Sequence, residues 1–189
     1  MILKKTSKLF QDDKTNRKKG PLTGSRVLEV GSTIAGPFCA RLLADFGADV
    51  IKVEPPSGDP VRHMGRIDDN ESLYAASILR NKRLISVDVK TEEGNKILRR
   101  LMEKVDVVIE NFRPGTLEKL GLGYEEISKK NPGLVLVRIS GFGQTGPYSP
   151  RPGYGVTAEA IGGVRHMIGE PDLPPARVAL AVTDHLGAL

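Results

Sequence analysis

The stretch Val27–Pro56 reads "VLEVGSTIAGPFCARLLADFGADVIKVEPP", and how it is read decides the fold. The apolar run over residues 25–30 predicts a buried strand that enters Gly31. A turn of small residues follows. Residues 37–47 predict a helix with Pro37 in its first turn and Gly47 closing it. "ADVIKVE" is a second apolar strand, ending on Glu54. A strand, a glycine turn, a helix and a strand ending in an acid outline a dinucleotide-binding unit. The glycines, however, are not those such a site needs. The second glycine of G-x-G-x-x-G lets a pyrophosphate approach the backbone. In Gly31-Ser32-Thr33-Ile34-Ala35-Gly36, Ile34 puts a branched side chain near that place. Glu54 stands where a ribose-binding acid belongs, so half the fingerprint survives. A methyl-donor site also follows strands like "VLEVG", but with further closely spaced glycines. A NAD- or SAM-binding Rossmann domain therefore stays open as a minor alternative.

Downstream, the same alternation continues. A Pro/Gly-rich loop leads to a short helix near residues 71–79, and then "RLISVDV" predicts a strand. Thr91 caps a helix through "TEEGNKILRRLMEKV". "DVVIENF" and "LVLVRISGFG" predict strands, with two short helices between them. Strands that are nearly continuously apolar and alternate with helices indicate a parallel sheet covered on both faces. The expected fold is thus an open, Rossmann-like α/β sheet, with its ligand beyond the C-terminal strand ends where the strand order reverses. Four loops occupy such ends: 31–36, 54–58, 111–115 and 140–147. From Gly141 the composition shifts to turn-forming residues. A small-residue helix, a proline-rich turn, a short strand and the start of another helix are expected before Leu189. Residues 21–189 therefore read as the N-terminal part of a larger domain.

Residues 1–20 carry seven lysines and arginines against two aspartates, a surplus equal to the whole chain's net charge of +5. The remainder is neutral, so the basic character belongs to a polar leader that reads as a frayed, solvated terminus. No apolar run is long enough to span a bilayer, and none resembles a secretory signal. The basic residues are not interleaved with aromatics, which gives nucleic-acid binding little support. The single cysteine, Cys39, allows no internal disulfide and fits a cytoplasmic, reducing setting. Three histidines and one cysteine show no metal spacing.

The strand-end motifs taken together carry more information than any one of them. "AGPFCARLLADFGADVIKVEPPSGD", "RNKRLISVDVKTEEG", "DVVIENFRPGTLEKLGLGYEEI", "NPGLVLVRISGFGQTGPYSPRPGY" and "DHLGAL" occur in this order. From Pro21 to Leu189 the sequence resembles the family III CoA-transferases, a fold shared with alpha-methylacyl-CoA racemase. The resemblance implies transfer of CoA from an acyl-CoA, with succinyl-CoA a candidate donor, to a free carboxylic acid through an aspartyl anhydride and thioester. It also implies interlocked homodimers of a longer chain. The aspartate nucleophile of that family matches Asp184, with Gly187 three residues on to allow close backbone approach and an oxyanion donor. Without the resemblance, Asp184 reads equally as a helix N-cap. For CoA, the resemblance implies Thr33, Ile34 and Ala35 at the pantetheine end, and Asn111, Phe112 and Arg113 along its length. Lys119 is implied as a phosphate contact, with Asn81, Lys82 and Arg83 near the nucleotide end.

Three departures from the family pattern bear on the reading. Ile34 stands where formyl-CoA transferase looks to have a glutamine, which argues against formyl or oxalyl substrates. Tyr154 stands where the racemase branch places a histidine, and epimerisation needs an acid and a base on opposite sides of a carbon. His166 and His185 lie elsewhere and read as structural or surface residues. Gly155 replaces an acid that many transferases carry after the tyrosine. Transferase is favoured over racemase, with a catalytically inactive CoA-binding remnant as the other alternative.

Overall fold

The computed structural model describes residues 19–189, so the basic leader expected over residues 1–20 lies outside them except for its last two residues. Five parallel strands form the sheet: β1 (Arg26–Glu29), β2 (Asp49–Glu54), β5 (Arg83–Ser86), β6 (Val107–Glu110) and β7 (Val135–Arg138). Two short strands, β3 (Ile67–Asp68) and β4 (Glu71–Ser72), pair antiparallel outside it. The sheet order is β5-β2-β1-β6-β7, so successive strands run one way from β1 and then the other. The reversal falls between β1 and β6.

Alternation along β1 sends Val27 to one face and Leu28 to the other. Val27 joins Val50, Ile109 and the small residues Ala40 and Ala44 of helix α1 (Ala35–Asp45). Alanines on that face let the helix lie close to the sheet. Leu28, Ile51 and Val108 meet Leu98, Leu101 and Met102 of α3 (Glu92–Met102) on the opposite face. Thr91 caps α3 as expected, its hydroxyl accepting from the Gly94 N–H at 3.1 Å. Leu117 of α4 (Thr116–Lys119) and Ile127 of α5 (Tyr124–Ile127) complete that layer. A satellite core joins Ile34, Val61 of a 3-10 turn (Pro60–His63) and Ile78 of α2 (Leu73–Leu79). The fold class read from the sequence is therefore the observed one.

The segment between the proline-rich turn and Asp184 departs from expectation. Residues 176–181 form no strand and run directly into α7 (Val182–Gly187). A strand needs a ladder partner, and propensity alone does not supply one.

The centre of the sheet holds buried charge. Glu29 and Lys52 face each other in the β1–β2 register, both fully buried. The Lys52 ammonium donates to Glu29 Oε1 at 2.6 Å, the Gly31 carbonyl at 2.9 Å and Asp59 Oδ2 at 2.8 Å, which uses all three of its N–H groups. Lys82 Nζ takes the other Glu29 oxygen at 2.7 Å and the Pro37 carbonyl at 2.6 Å. Burial opposes the charge on Lys52, but Glu29 and Asp59 outweigh it and raise its pKa. Lys52→Met leaves Glu29 with Lys82 alone and takes from buried Asp59 the lysine bonded to it. It is expected to lower unfolding stability by about 3–5 kcal/mol, measurable by urea titration. A loss under about 1 kcal/mol would show that the network is dispensable.

Candidate functional site

The β1–α1 turn crosses the sheet at the reversal point, beside the C-terminal end of β6. Its backbone groups are held from two sides. The Asn111 amide accepts from the Ser32 N–H at 2.8 Å and donates to the Ser32 carbonyl at 2.9 Å. On the other side, Asp59 accepts from the Thr33 N–H at 3.0 Å while Lys52 holds the Gly31 carbonyl. Burial raises the pKa of Asp59, but Lys52 and the N–H groups of Val61 and Thr33 outweigh that and leave its carboxyl below the usual range. Thr33 is held at φ 68°, a region that disfavours side chains with a branched Cβ. The two glycines of the turn serve this packing. A Cβ on Gly31 would meet Asn111 Oδ1 at 2.5 Å, and one on Gly36 would meet it at 3.0 Å. The turn thus keeps the outline of a nucleotide fingerprint while directing the Ser32 and Thr33 N–H groups into the protein.

A cavity of about 480 Å³ opens over this turn. Ser32–Ala35 and Asn111–Arg113 form one wall, and Ile139–Gly141 with Arg151–Gly155 form another. Ala158 of α6 (Gly155–Ile161) and Thr183, Asp184 and Gly187 of α7 close it. Asp184 is half-buried in the first turn of α7, and Ala181 is the N-cap, so the capping role is not the one Asp184 fills. Burial is the largest cause holding the Asp184 carboxyl above the usual carboxylate range. His185, its own backbone N–H and Arg177 oppose the shift, and Glu159 adds to it. Gly155 lies directly against this carboxylate. A Cβ there would sit 3.2 Å from Asp184 Cγ, 2.6 Å from Thr183 Oγ1 and closer still to Asp184 Oδ2. At Gly187, where close backbone approach was expected, an added Cβ meets only Ile139 at an ordinary 3.9 Å.

Of the ten residues assigned to CoA from the sequence, six line this cavity: Thr33, Ile34, Ala35, Asn111, Phe112 and Arg113. Asn111 contributes by fixing the turn. The structure does not bring the other four into it. Lys82 is a core cation whose side chain is wholly buried on Glu29. Asn81 donates to Asp45 Oδ1 at 2.7 Å, and Arg83 is bidentate on Asp49 at 2.8 and 2.7 Å. Lys119 is exposed on α4, beyond the turn that carries Arg113. Glu54, the remnant of the ribose position, accepts both Arg62 guanidinium bonds at 3.2 and 2.8 Å. His185 packs edge-on against Phe38 at 4.4 Å, and its Nδ1 donates to the Ala181 carbonyl at 2.6 Å. His166 is exposed on a second 3-10 turn (Val164–Met167). Sequence reasoning missed Asp59 and Arg151. It also passed over a readable signal, one acid and one base in otherwise apolar central strands. Among the described residues, no group of three His, Cys, Asp or Glu is arranged to hold a metal ion. No helix among them is long and apolar enough to cross a membrane.

A five-stranded parallel sheet with a cavity at the reversal point, walled by a clamped glycine turn and closed by a half-buried aspartate, defines an open Rossmann-like α/β fold with its candidate site at the strand ends. The sequence model of CoA-transferase family III matches residues 22–189, and the chain belongs to that family. It is 52% identical over 176 residues to a succinyl-CoA–D-citramalate CoA-transferase of Chloroflexus aurantiacus, covering 92% of this chain and 44% of that protein. It is 43% identical to the human succinyl-CoA:glutarate CoA-transferase, covering 92% of this chain and 40% of that one. A crystal structure of a CAIB/BAIF family protein from Brucella suis superposes with a TM-score of 0.84 at 41% identity, covering 90% of this chain and 47% of that chain. The chain spans less than half the length of each of these relatives.

Proposed function

We propose that this chain is the nucleophile-bearing part of a CoA-transferase that moves CoA from an acyl-CoA to a free carboxylic acid. The observation that carries the reading is Asp184, a half-buried carboxyl of raised pKa facing a cavity walled by Thr33, Ile34, Ala35, Phe112 and Arg113. The names of the relatives favour succinyl-CoA as donor and a small carboxylic acid as acceptor. The Asp184 carboxylate attacks the thioester carbonyl and CoA leaves as thiolate, giving a mixed anhydride. The thiolate then attacks the aspartyl carbonyl, releasing the donor acid and leaving an enzyme thioester. The acceptor carboxylate reverses both steps, and the new acyl-CoA departs with Asp184 restored. Each exchange trades one activated acyl bond for another.

Arg113 offers a guanidinium for the phosphates of CoA, which it matches geometrically. Exposed apolar side chains gather late in the chain, among them Tyr154, Ile161, Met167, Leu180 and Leu186. In the complete protein we expect the rest of the fold and a second subunit to cover them. Racemisation is not favoured, because His185 is held against Phe38 and the Ala181 carbonyl.

Intact-mass spectrometry after incubation with succinyl-CoA tests the proposal. A CoA or succinyl adduct on the unmutated chain, absent from Asp184→Ala, is the expected result. The experiment is run with and without the remainder of the fold supplied. No adduct in either case would favour an inactive CoA-binding remnant.

A further inference from the structure

Among the described residues, three buried side-chain atoms have no hydrogen-bond partner: Glu159 Oε2, Arg165 Nε and Thr183 Oγ1. All three belong to one small region. Thr183 precedes Asp184 on α7. Glu159 lies on α6, and Arg165 on the 3-10 turn just after it. A folded chain satisfies nearly all its buried polar groups, so a local lapse calls for an explanation. Glu159 is 1% exposed, and the one cation given to it, Arg165 Nε, stands at 3.6 Å, too far for a hydrogen bond. Glu159 is also four residues after Gly155, on the same face of α6. That is the face whose first residue touches the Asp184 carboxylate. α6 and α7 pack against each other.

We propose that Glu159 is a second carboxylate behind the cavity, a positioning residue that raises the reactivity of Asp184 by opposing its negative charge until acylation removes it. The inference rests on the proposed nucleophilic role of Asp184. Two like charges behind a low-dielectric wall repel more strongly than in water. Attack on a thioester converts the Asp184 anion into a neutral acyl group, so the repulsion is released as the bond forms. An interaction relieved only along the reaction path accelerates the step. Arg165, 3.6 Å from Glu159, pairs with it without a hydrogen bond and offsets part of its charge, and Glu159 still acts to raise the Asp184 pKa. The other groups facing Asp184 are His185 on its own helix, Arg177 on the segment before it and Tyr74 on α2. Arg113 and Arg151 line the same cavity. α1, which also packs on α7, presents the Phe38 ring there. Among the charged groups that act directly on Asp184, Glu159 is the acid.

Carbon-detected NMR titration of the Asp184 carboxyl tests this in the chain itself, with Glu159→Gln as the variant. The midpoint is expected to move to lower pH in Glu159→Gln while the fold is retained. An unchanged or higher midpoint in the folded variant would overturn the proposal. Should Glu159→Gln not fold, the paired Glu159→Met and Arg165→Met variant removes both charges together, and the same downward shift is required of it. The titration reads the coupling of Glu159 to Asp184 even in a chain that never acylates. A failed mass-adduct experiment with a shifted midpoint therefore counts against the transferase reading and not against the coupling.

Discussion

Asparagine at position 184 is expected to lower CoA transfer by at least about 10⁴-fold, because loss of a covalent nucleophile removes the step that divides the exchange. The same substitution is expected to raise thermal stability at neutral pH. Burial, the largest cause, holds the folded Asp184 carboxyl above its ordinary value. A group whose folded pKa is raised contributes stability below the unfolded pKa and loses it as pH rises through the folded one. At pH 7 the ionised Asp184 is therefore a burden on the fold, and a neutral amide is not. Below about pH 4, where unfolded aspartate protonates, the two melting temperatures should converge. Activity and melting curves at both pH values check this. A variant less stable than the unmutated chain at pH 7 would mean that Asp184 is structural. A stability gain that accompanies a loss of activity is the pattern expected where a site is kept under strain for its chemistry.

Alanine at position 155 is expected to lower kcat by about 100-fold with little change in KM, because displacing a reacting group by an ångström costs about that much. Gly155 opens α6 and does not adopt a positive φ. Backbone conformation therefore does not require glycine there, and on propensity alone alanine would favour the helix. What an alanine methyl meets is the carboxylate of Asp184 and the hydroxyl of Thr183. Both are ends of movable side chains, so the fold survives and the nucleophile turns away. Melting by circular dichroism together with steady-state kinetics decides the matter. Unaltered kcat in a folded variant would show that the contact does not position Asp184.

Much of the fold was legible because burial on both faces of a parallel sheet leaves long apolar runs, and β2 and β6 are such runs. That pattern put the ligand at the C-terminal strand ends, and the loops at 31–36, 111–115 and 140–147 do contribute to the cavity, whereas 54–58 does not; the reversal between β1 and β6 is read from the pairing alone. The short strand expected before Asp184 was not legible as absent, since pairing depends on a neighbour and not on Val178 or Leu180 themselves. Lys82 misled for a related reason. In sequence it sits within a basic cluster, "RNKR", which suggests a phosphate site. Only the register that brings Glu29 and Lys52 together shows that Lys82 completes a buried network. In sequence Gly155 reads as a missing acid, and only the packing of α6 on α7 shows that its backbone touches the carboxylate.

The clamp on the β1–α1 turn has a consequence for affinity. A loop that orders only around its ligand charges the cost of ordering to binding. Here Asn111, Asp59 and Lys52, all residues of the fold itself, hold the turn. On the proposed reading, an acyl-CoA would meet a wall whose conformational entropy was surrendered when the chain folded. On that reading, discrimination at this wall would depend on shape, with Ile34 as a fixed apolar surface in it.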